Sequence, residues 1–515
     1  MKHHTFFNRF SNKLSCLCMV LLIATIVLPA CKKSQSELGK LAFGIAKNKV
    51  FKEIDEETFA ERLKAASSEQ ANTFRNPKFM QAFYEKHEYN PVLLSKILKE
   101  KQLDSVIAVF NRAEMHGLSP KIFRTAELQK LNEELKDKGK VKTVDEAYQL
   151  LTKLELSLAN AISDYGSAMQ FGIISPRKIY AQYYTETKRP DEKSFVNSLE
   201  ADDVKMFLDS VQPKDKQYLA MQQALQQHSQ LTGAAAEEMQ RILMVNLERL
   251  RWQNKPTGDK YVWVNIPDFS LNVMENDKST LHMKVCVGEG RNQDYKDKLI
   301  EYDETGVKKD RPFNRETPQL NSIIHSVQVN PVWNIPESIA SNEITKYAAA
   351  DPYYLANNAI DVYQDGKIID DPETIDWSEP GAGKKYSFKQ RPGEDNSLGK
   401  IKFLFNNQSS VYLHDTPNKA AFNRQVRAVS HGCVRVEDPL ALAQALFGSG
   451  ATFDGIKKAM QDGQPQAKDV GLKNKVPVYL TYNTCWQDSA GKLQYRKDVY
   501  GLDIVLYTHL NRLIK

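Results

Sequence analysis

The hydrophobic pattern changes its period near residue 258, and this change most limits the folds open to the chain. From about residue 55 to 253, apolar residues recur three and four positions apart, as in "EIDEETFAERLKAAS" and "VDEAYQLLTKLELSLANAISDYGSAMQFG". This spacing indicates amphipathic helices. After it, "KYVWVNIPDFSLNVMEND" and "STLHMKVCVGEG" alternate in the way that is typical of strands. The sequence therefore predicts an α+β protein in which a helical half precedes a mostly-β half.

Local signals mark where several elements begin or end. Gly117 and Gly172 are predicted helix stops. Asn276-Asp277 lies between two alternating runs and predicts a tight β-hairpin. Asp438, directly before a proline, is the predicted N-cap of the helix "DPLALAQALFG".

The chain has 515 residues, which is too long for one ordinary domain. We predict a helical domain at residues 55–255 and a mostly-β domain at 256–515. Within the second domain, about 334–389 mixes helical and strand patterns, and we predict an insertion that packs over the sheet. The helical half shows no cluster of catalytic or metal-binding residues, so we predict that it is a scaffold.

The first thirty residues indicate an export signal. They contain basic residues, no acid, and the apolar run "LSCLCMVLLIATIVLPA", which is short for a membrane span. Cys31 directly follows Leu-Pro-Ala, which resembles a bacterial lipobox, where the cysteine receives a lipid and becomes the mature amino terminus. We predict a signal peptide at 1–30, lipid on Cys31 and a solvated tether at 31–54. A plain signal peptide or an amino-terminal anchor is the alternative.

The charge balance gives little support for nucleic-acid binding. The formal net charge is +6, and no block rich in Lys and Arg stands out. Charged residues make up 26% of the chain, which is ordinary for a globular protein. We therefore expect no nucleic-acid partner.

An odd number of cysteines remains after the predicted signal. Cys286, Cys433 and Cys485 are left once Cys31 carries a lipid. Three thiols cannot all pair within one exported chain. Cys286 and Cys485 both lie in strand-like segments, and a disulfide between them would leave Cys433 as the free thiol.

The stretch "SVYLHDTPNKAAFNRQVRAVSHGCVRV" holds the residue types of a catalytic site. A catalytic thiol needs a base within hydrogen-bond reach and backbone N–H donors for a developing oxyanion. His414 ends a strand-like run upstream of Cys433, and Gly432 gives the turn before the cysteine a conformational freedom that other residues lack. Arg435 can fix the loop or bind a substrate carboxylate.

Two other interpretations remain open at this point. His414, His431 and Cys433 have the ligand types of an open zinc site, and their spacing does not exclude one. The cysteine can also be an ordinary buried thiol beside structural histidines. A Ser-His-Gly-Cys turn together with a second histidine upstream favours the catalytic interpretation.

The motif resembles a known family. A histidine, a spacer and Ser-His-Gly-Cys-x-Arg are similar to the signature of L,D-transpeptidases of the YkuD type. "VNPVWNIPESIASNEI", "PGEDNSLGKIKFLF" and "VPVYLTYNTCW" resemble the YcbB branch of that family, and "NRAEMHGLSPKIF" and "ILMVNLERLRW" resemble its helical scaffold. The resemblance covers most of residues 60–510 and implies a mostly-β catalytic domain with an inserted capping subdomain.

The resemblance implies an acyl transfer in the bacterial cell wall, with no metal and no cofactor. Cys433 corresponds to the nucleophile, which attacks the third residue of a tetrapeptide stem and releases D-Ala. His414 corresponds to the base, and the backbone carbonyl of Asp415 orients it. The acceptor is the side-chain amine of another stem, which gives a 3→3 crosslink. Enzymes of this kind are typically acylated by carbapenems.

The resemblance also implies roles for further residues. Arg435 is expected to organise the loop and bind substrate. Trp333 and Tyr386 are expected to line the substrate groove, with core packing as the alternative. The expected oxyanion and orienting residues are Ser430, His431, Gly432 and Asp415.

The expected partners are peptidoglycan stem peptides and a membrane reached through the lipid on Cys31. The expected location is the periplasm, with the outer membrane holding the lipid. The alternatives are an enzyme that attaches an envelope protein to peptidoglycan, an L,D-carboxypeptidase and a non-catalytic wall-binding lipoprotein. Only "QHSQLTGAAAEEMQRILMV" separates "YLAMQQALQ" from "NLERLRW", so we predict that the peptidoglycan-binding module of the YcbB branch is missing.

Overall fold

The computed structural model has helices in its first half and a mixed sheet in its second, so the predicted α+β class is confirmed. The predicted signal peptide and Cys31 lie outside the described residues. The structure describes residues 35–228, 232–254, 256–290, 300–302, 308–310 and 315–513.

The long helix α7 forms the centre of the helical half, and most of its 28 residues are buried. Its start is fixed by a capping box, because the Thr143 hydroxyl accepts from the Glu146 N–H and the Glu146 carboxylate accepts from the Thr143 N–H, both at 3.2 Å. It ends at Gly172, as predicted, and Gly117 ends a 3-10 turn. The helices described here are α1 (Glu37–Ala46), α2 (Glu56–Glu69), α3 (Pro77–Lys86), α4 (Val92–Lys99), α5 (Leu103–Asn111), α6 (Thr125–Lys136), α7 (Val144–Phe171), α8 (Pro176–Ile179), α9 (Glu192–Glu200), α10 (Val204–Ser210), α11 (Lys216–His228) and α12 (Ala234–Arg251).

The prediction of a solvated tether at 31–54 is wrong for its second part. Ser36 caps α1 by accepting from the Gly39 N–H at 3.0 Å. Leu38 and Phe51 are buried in the same core as the other scaffold helices. The scaffold therefore begins near residue 36. The apolar face of this short segment packs against the scaffold core, and the polar residues on either side of it make that face hard to recognise in the sequence.

The main sheet has the strand order β13-β3-β14-β12-β11-β6-β15-β1-β2, and β2 also pairs with β3, so the order closes on itself. The hairpin predicted at Asn276-Asp277 joins β2 and β3 with positive φ at both turn residues, as a tight turn requires. The strands are β1 (Lys260–Asn265), β2 (Ser270–Glu275), β3 (Lys278–Gly288), β4 (Ile300–Tyr302), β5 (Lys308–Asp310), β6 (Leu320–Val329), β7 (Trp333–Ile335), β8 (Ile360–Gln364), β9 (Lys367–Ile368), β10 (Ser387–Gln390), β11 (Ile401–Phe405), β12 (Leu413–His414), β13 (Ala428–Ser430), β14 (Val434–Val436), β15 (Lys468–Thr481), β16 (Cys485–Gln487) and β17 (Leu493–Tyr495).

Residues 333–390, which we call the cap, have a four-stranded sheet of order β7-β10-β8-β9 and a hydrophobic core of their own. The cap thus corresponds to the predicted insertion. In the sheet domain, Asp438 caps α17 through the Ala441 N–H at 2.9 Å, as predicted. The helices of this half are α13 (Glu337–Ile339), a π-helix (Ala340–Ile344), α14 (Thr345–Ala350), α15 (Tyr354–Asn357), α16 (Ala382–Lys385), α17 (Pro439–Phe447), α18 (Ala451–Asp462) and α19 (Leu502–Arg512).

Buried polar contacts join the scaffold to the sheet domain. Arg249 of α12 pairs with Asp503 of α19 at 2.5 Å, and both side chains are almost fully buried. Asn246 donates to the Thr484 hydroxyl at 2.7 Å. A buried charge is costly unless it is paired, so these contacts fix how α12 and α19 meet.

The described cysteines are all free thiols, so the suggested disulfide between Cys286 and Cys485 is wrong. Cys286 is buried beside Phe422, whereas Cys485 packs in a separate cluster against α11 and α12. Within the described residues, no helix is long and apolar enough to span a bilayer.

Candidate active site

A cavity of about 470 Å³ lies where the cap meets the central strands of the sheet. Its floor includes Tyr412, His414, Cys433 and Arg435, and the cap contributes Trp333 and the segment around Glu343. Cavities of this size hold small ligands or short segments of polymers. The residues predicted from one stretch of sequence thus share one cavity with residues of the cap.

Strand pairing brings His414 and the cysteine turn together. β12 runs parallel to β14, with His414 opposite Arg435 in register. Gly432 forms the turn before β14 with φ +116°, a conformation that favours glycine. The chain between the two strands is therefore a loop that returns the cysteine to the side of His414.

His414 is buried, and its ring is oriented by the chain itself. Nδ1 lies 2.5 Å from the backbone carbonyl oxygen of Asp415, as predicted. Because a carbonyl only accepts, Nδ1 carries the proton and Nε2 is left as the basic nitrogen. Burial, followed by the charge of Arg435, lowers the pKa of His414 to about 3. The imidazole is therefore neutral near pH 7.

The thiol of Cys433 is also neutral near pH 7. Desolvation raises its pKa to about 11, against the weaker opposing effects of the Tyr412 backbone and of the Arg435 and Lys402 charges. The side chain of Tyr412 also acts on the sulfur and lowers the pKa of the thiol slightly. No hydrogen bond joins His414 to Cys433 among the described residues, although both line the cavity. The direct hydrogen bond expected between Cys433 and His414 is therefore not formed in this structure.

The turn before the cysteine is held by two hydroxyl groups. Ser430 Oγ donates to the Cys433 carbonyl at 2.6 Å and accepts from the Gly432 N–H at 3.2 Å. Thr317 Oγ1 donates to the Gly432 carbonyl at 2.8 Å and accepts from the Gly288 N–H at 2.8 Å. Ser430 thus has an orienting contact, and the Gly432 N–H donates to it in this structure. The expected place of Gly432 in the oxyanion site stays a prediction.

The His431 side chain points to the cap. Its Nε2 lies 2.7 Å from Glu343 Oε1, and Arg315 Nη2 donates to the same oxygen at 2.8 Å. Arg315 Nη1 also donates to Glu289 at 2.8 Å. His431 therefore connects the cysteine turn to the cap through its side chain. The sequence predicted a place for His431 in the oxyanion site but not this contact with the cap.

Asp415 has its carboxylate anchored away from His414. Oδ1 accepts from the Thr416 N–H and from Lys419 Nζ, each at 2.7 Å, and Oδ2 accepts from the Lys400 N–H at 2.9 Å. Gly399 packs so closely that a Cβ there would lie 2.4 Å from the Asp415 carboxyl carbon. These contacts fix the position of Asp415 and so the carbonyl that orients His414.

The predicted substrate-binding residues divide into two groups. Arg435 lines the cavity, and its buried Nε has no hydrogen-bond partner among the described residues. Trp333 also lines the cavity. Tyr386 does not, because its ring packs edge-on against Trp377 in the core of the cap at 5.4 Å, and its expected role as a lining residue is contradicted.

Several residues of the site were missed from the sequence. Tyr412 carried a usable signal, because it stands two positions before His414 on a strand-like run and so faces the same side. Thr317, Arg315 and Glu343 lie far away in the sequence and form no local motif. Across the described ranges, no group of three or more His, Cys, Asp or Glu side chains is placed to hold a metal ion.

Comparison with known proteins agrees with this geometry. Residues 259–448 match the L,D-transpeptidase catalytic domain, YkuD, and residues 78–225 match a scaffold domain. The chain therefore contains an L,D-transpeptidase catalytic domain of the YkuD family joined to a scaffold domain, the arrangement of the YcbB branch.

One curated relative is similar over a long part of the chain. A protein of Haemophilus influenzae named "Putative L,D-transpeptidase" is 27% identical over 326 residues. The match covers 63% of this chain and 61% of the relative, so the chain spans somewhat less than two thirds of that protein.

Proposed function

We propose that the protein is a peptidoglycan L,D-transpeptidase in which Cys433 is the nucleophile and His414 the base. The observation that carries the proposal is the fixed tautomer of His414, whose basic Nε2 shares a cavity with the thiol. The catalytic-domain match supports the same reaction class.

The first step is acylation of the cysteine. His414 Nε2 takes the thiol proton, directly or through one water, while Sγ attacks the carbonyl carbon of the third stem residue. The tetrahedral intermediate then expels the amine of D-Ala, which receives the proton from His414. A thioester on Cys433 and free D-Ala are the products of this step.

The second step is transfer to the acceptor. The amine of a second stem attacks the thioester carbon and gives a proton to His414. The carbon–sulfur bond breaks, the proton returns to the sulfur, and an amide links the two stems. His414 and Cys433 are both neutral at rest, so charge separates only during these transfers. Arg435, Lys402 and the Tyr412 hydroxyl then stabilise the thiolate.

Arg435 and the cap supply substrate recognition in this proposal. The buried Arg435 Nε has no hydrogen-bond partner in the part of the chain that the structure describes, which favours an acceptor from the substrate such as a carboxylate. The cap lines one side of the cavity, and shielding of the thioester from water there would favour an amine over hydrolysis.

The proposal is tested with purified protein and a disaccharide tetrapeptide. We expect release of D-Ala, a protein adduct with the mass of the tripeptide acyl group, and 3→3 dimers. Cys433→Ala should abolish all three products, and His414→Ala should slow adduct formation by roughly 10²–10⁴-fold. A wild-type protein that forms no adduct, or a Cys433→Ala protein that still releases D-Ala, contradicts the proposal.

The identity of the acceptor is decided in the same assay. Tripeptide without dimers shows an L,D-carboxypeptidase, and an added envelope protein that becomes linked to the stem shows an attachment enzyme. A carbapenem should compete with the stem by acylating Cys433.

We also propose export to the periplasm and lipid attachment at Cys31, on the strength of the amino-terminal sequence. The full chain produced in a bacterium with an outer membrane should incorporate a labelled fatty acid and fractionate with that membrane. Cys31→Ser should lose the label, and a labelled Cys31→Ser protein would contradict the assignment.

A further inference from the structure

A second cavity, of about 460 Å³, lies between the scaffold and the sheet. Its walls come from α12, β1 and β15, and none of its residues lines the candidate active site. In the sheet, β11 and β6 separate β15 from β12, which carries His414. The reaction proposed above does not use this cavity.

Aromatic side chains form much of its surface. Trp263 and Tyr479 stand side by side on β1 and β15, and Tyr261 packs edge-on against Tyr479 at 5.7 Å. Trp263 is half-buried, and its Nε1 donates to Thr481 Oγ1 at 2.8 Å, so the ring is held in place while part of it stays accessible. The negative face of an aromatic ring attracts polarised C–H groups, such as those on the flat side of a sugar.

Carboxamide side chains surround these rings. A carboxamide offers N–H donors and a carbonyl acceptor, which suit the hydroxyl and acetamido groups of a sugar. Asn254, Asn483 and Gln487 each use one donor within the protein, and their carbonyl oxygens can still accept from a ligand. The carboxamide residues at the cavity are Gln217, Asn254, Gln319, Asn483 and Gln487.

The charges at the cavity favour a ligand without a strong net charge. Arg249 is only 4% exposed, and Asp503 neutralises it from 2.5 Å away. Arg249 Nε has no hydrogen-bond partner within the described ranges, so it is a buried donor that a ligand oxygen can satisfy. Three exposed charged residues also line the cavity, and the carboxylates of Asp215 and Asp277 against Lys216 leave only a small net negative charge.

We propose that this second cavity binds the glycan strand of peptidoglycan through one or two of its N-acetylated sugar rings. The inference rests on the proposed function, because it is that function which places a glycan within reach of the protein. Binding here would hold the polymer while its stem peptide enters the cavity beneath the cap.

The experiment uses calorimetry with the full-length protein to measure binding of soluble glycan strands from which the stem peptides have been removed. We expect saturable binding by the wild type and by Cys433→Ala. Trp263→Ala should weaken it at least tenfold, and Trp333→Ala, the same change in the other cavity, should not. Gln217→Ala should weaken it roughly three- to tenfold, and it decides the matter if Trp263→Ala does not fold.

Kinetics separate this inference from the proposed function. With a tetrapeptide that carries no sugar, D-Ala release by Trp263→Ala should match the wild type, whereas KM for glycan-linked stems should rise. Glycan binding by a protein without transpeptidase activity would sink the proposed function alone. Three outcomes would overturn the inference. The first is transpeptidase activity without glycan binding, and the second is glycan binding that both Trp263→Ala and Gln217→Ala leave intact. The third is binding of free stem peptide, rather than glycan, in this cavity.

Discussion

His431 and Glu343 lie 2.7 Å apart and connect the cysteine turn to the cap. Glu343 stands on the π-helix Ala340–Ile344, so the contact spans the roof and the floor of one cavity. Arg315 adds a second bond to the same carboxylate. The position of the cap over the thiol is therefore coupled to the conformation of the turn that presents it.

Removing this contact should loosen the cap. We expect Glu343→Ala to raise KM for the stem peptide roughly three- to tenfold, since partly exposed ion pairs contribute about 1 kcal/mol or less each. Hydrogen exchange of residues 336–350 should become faster. Glu337→Ala, an exposed glutamate on the preceding turn, is the matched control and should behave as wild type. Equal exchange rates in both variants would contradict the coupling.

The pH dependence of acylation should be flat across neutral pH. His414 is neutral above its lowered pKa of about 3, and Cys433 keeps its proton below its raised pKa of about 11. Neither group changes charge between about pH 4 and 10, so kcat/KM should show no inflection near the ordinary histidine value. A titration near pH 6.5 that disappears in His414→Gln would show that the histidine is solvated in the free enzyme.

Tyr412→Phe should slow acylation without unfolding the protein. The Tyr412 side chain lines the cavity beside Cys433 and lowers the pKa of the thiol, so its hydroxyl is placed to donate to the thiolate during the reaction. Hydrogen bonds to charged groups are worth about 1.5–3 kcal/mol, so adduct formation should fall roughly 10–100-fold. Mass spectrometry of the adduct over time measures the rate. An unchanged rate, with an unchanged melting temperature, would remove Tyr412 from the mechanism.

Gly399→Ala should destabilise the protein and disturb His414. Gly399 has φ +59°, and a Cβ there would lie 2.4 Å from the carboxyl carbon of Asp415. We expect a loss of about 1–3 kcal/mol in the free energy of unfolding and a larger relative loss of activity. Gly393→Ala, where no atom lies within 4 Å of the added carbon, should be neutral in both assays.

Glu155 should make the scaffold less stable as the pH rises. Burial raises the pKa of its carboxyl from 4.5 to about 7, so between these values the folded state binds more protons than the unfolded state. Stability therefore falls through this window, by at most about 1.4 kcal/mol per pH unit. Glu155→Gln should flatten the slope in urea unfolding, and the exposed Glu85→Gln should not. Identical slopes in wild type and Glu155→Gln would show that Glu155 is ionised throughout.

The sequence by itself determined several secondary-structure elements and the motif that contains the candidate catalytic residues. Periodicity separated the helical half from the β half, Gly172 ended α7, and Asn276-Asp277 turned the hairpin. These signals act over a few residues, because helix caps and tight turns are set by local backbone geometry. His414 and Cys433 were found for the same reason, since they stand in one short motif.

Tertiary structure decided what surrounds that motif. Glu343 is 88 positions from His431, and Thr317 is 115 positions from Gly432, so no local pattern records either contact. The same holds for the neutral state of His414, which depends on its burial. It also holds for Tyr386, whose aromatic side chain is equally compatible with a groove and with a core. Packing between distant segments selects among partners that the sequence leaves equivalent, because burial and long-range contacts exist only once the chain has closed.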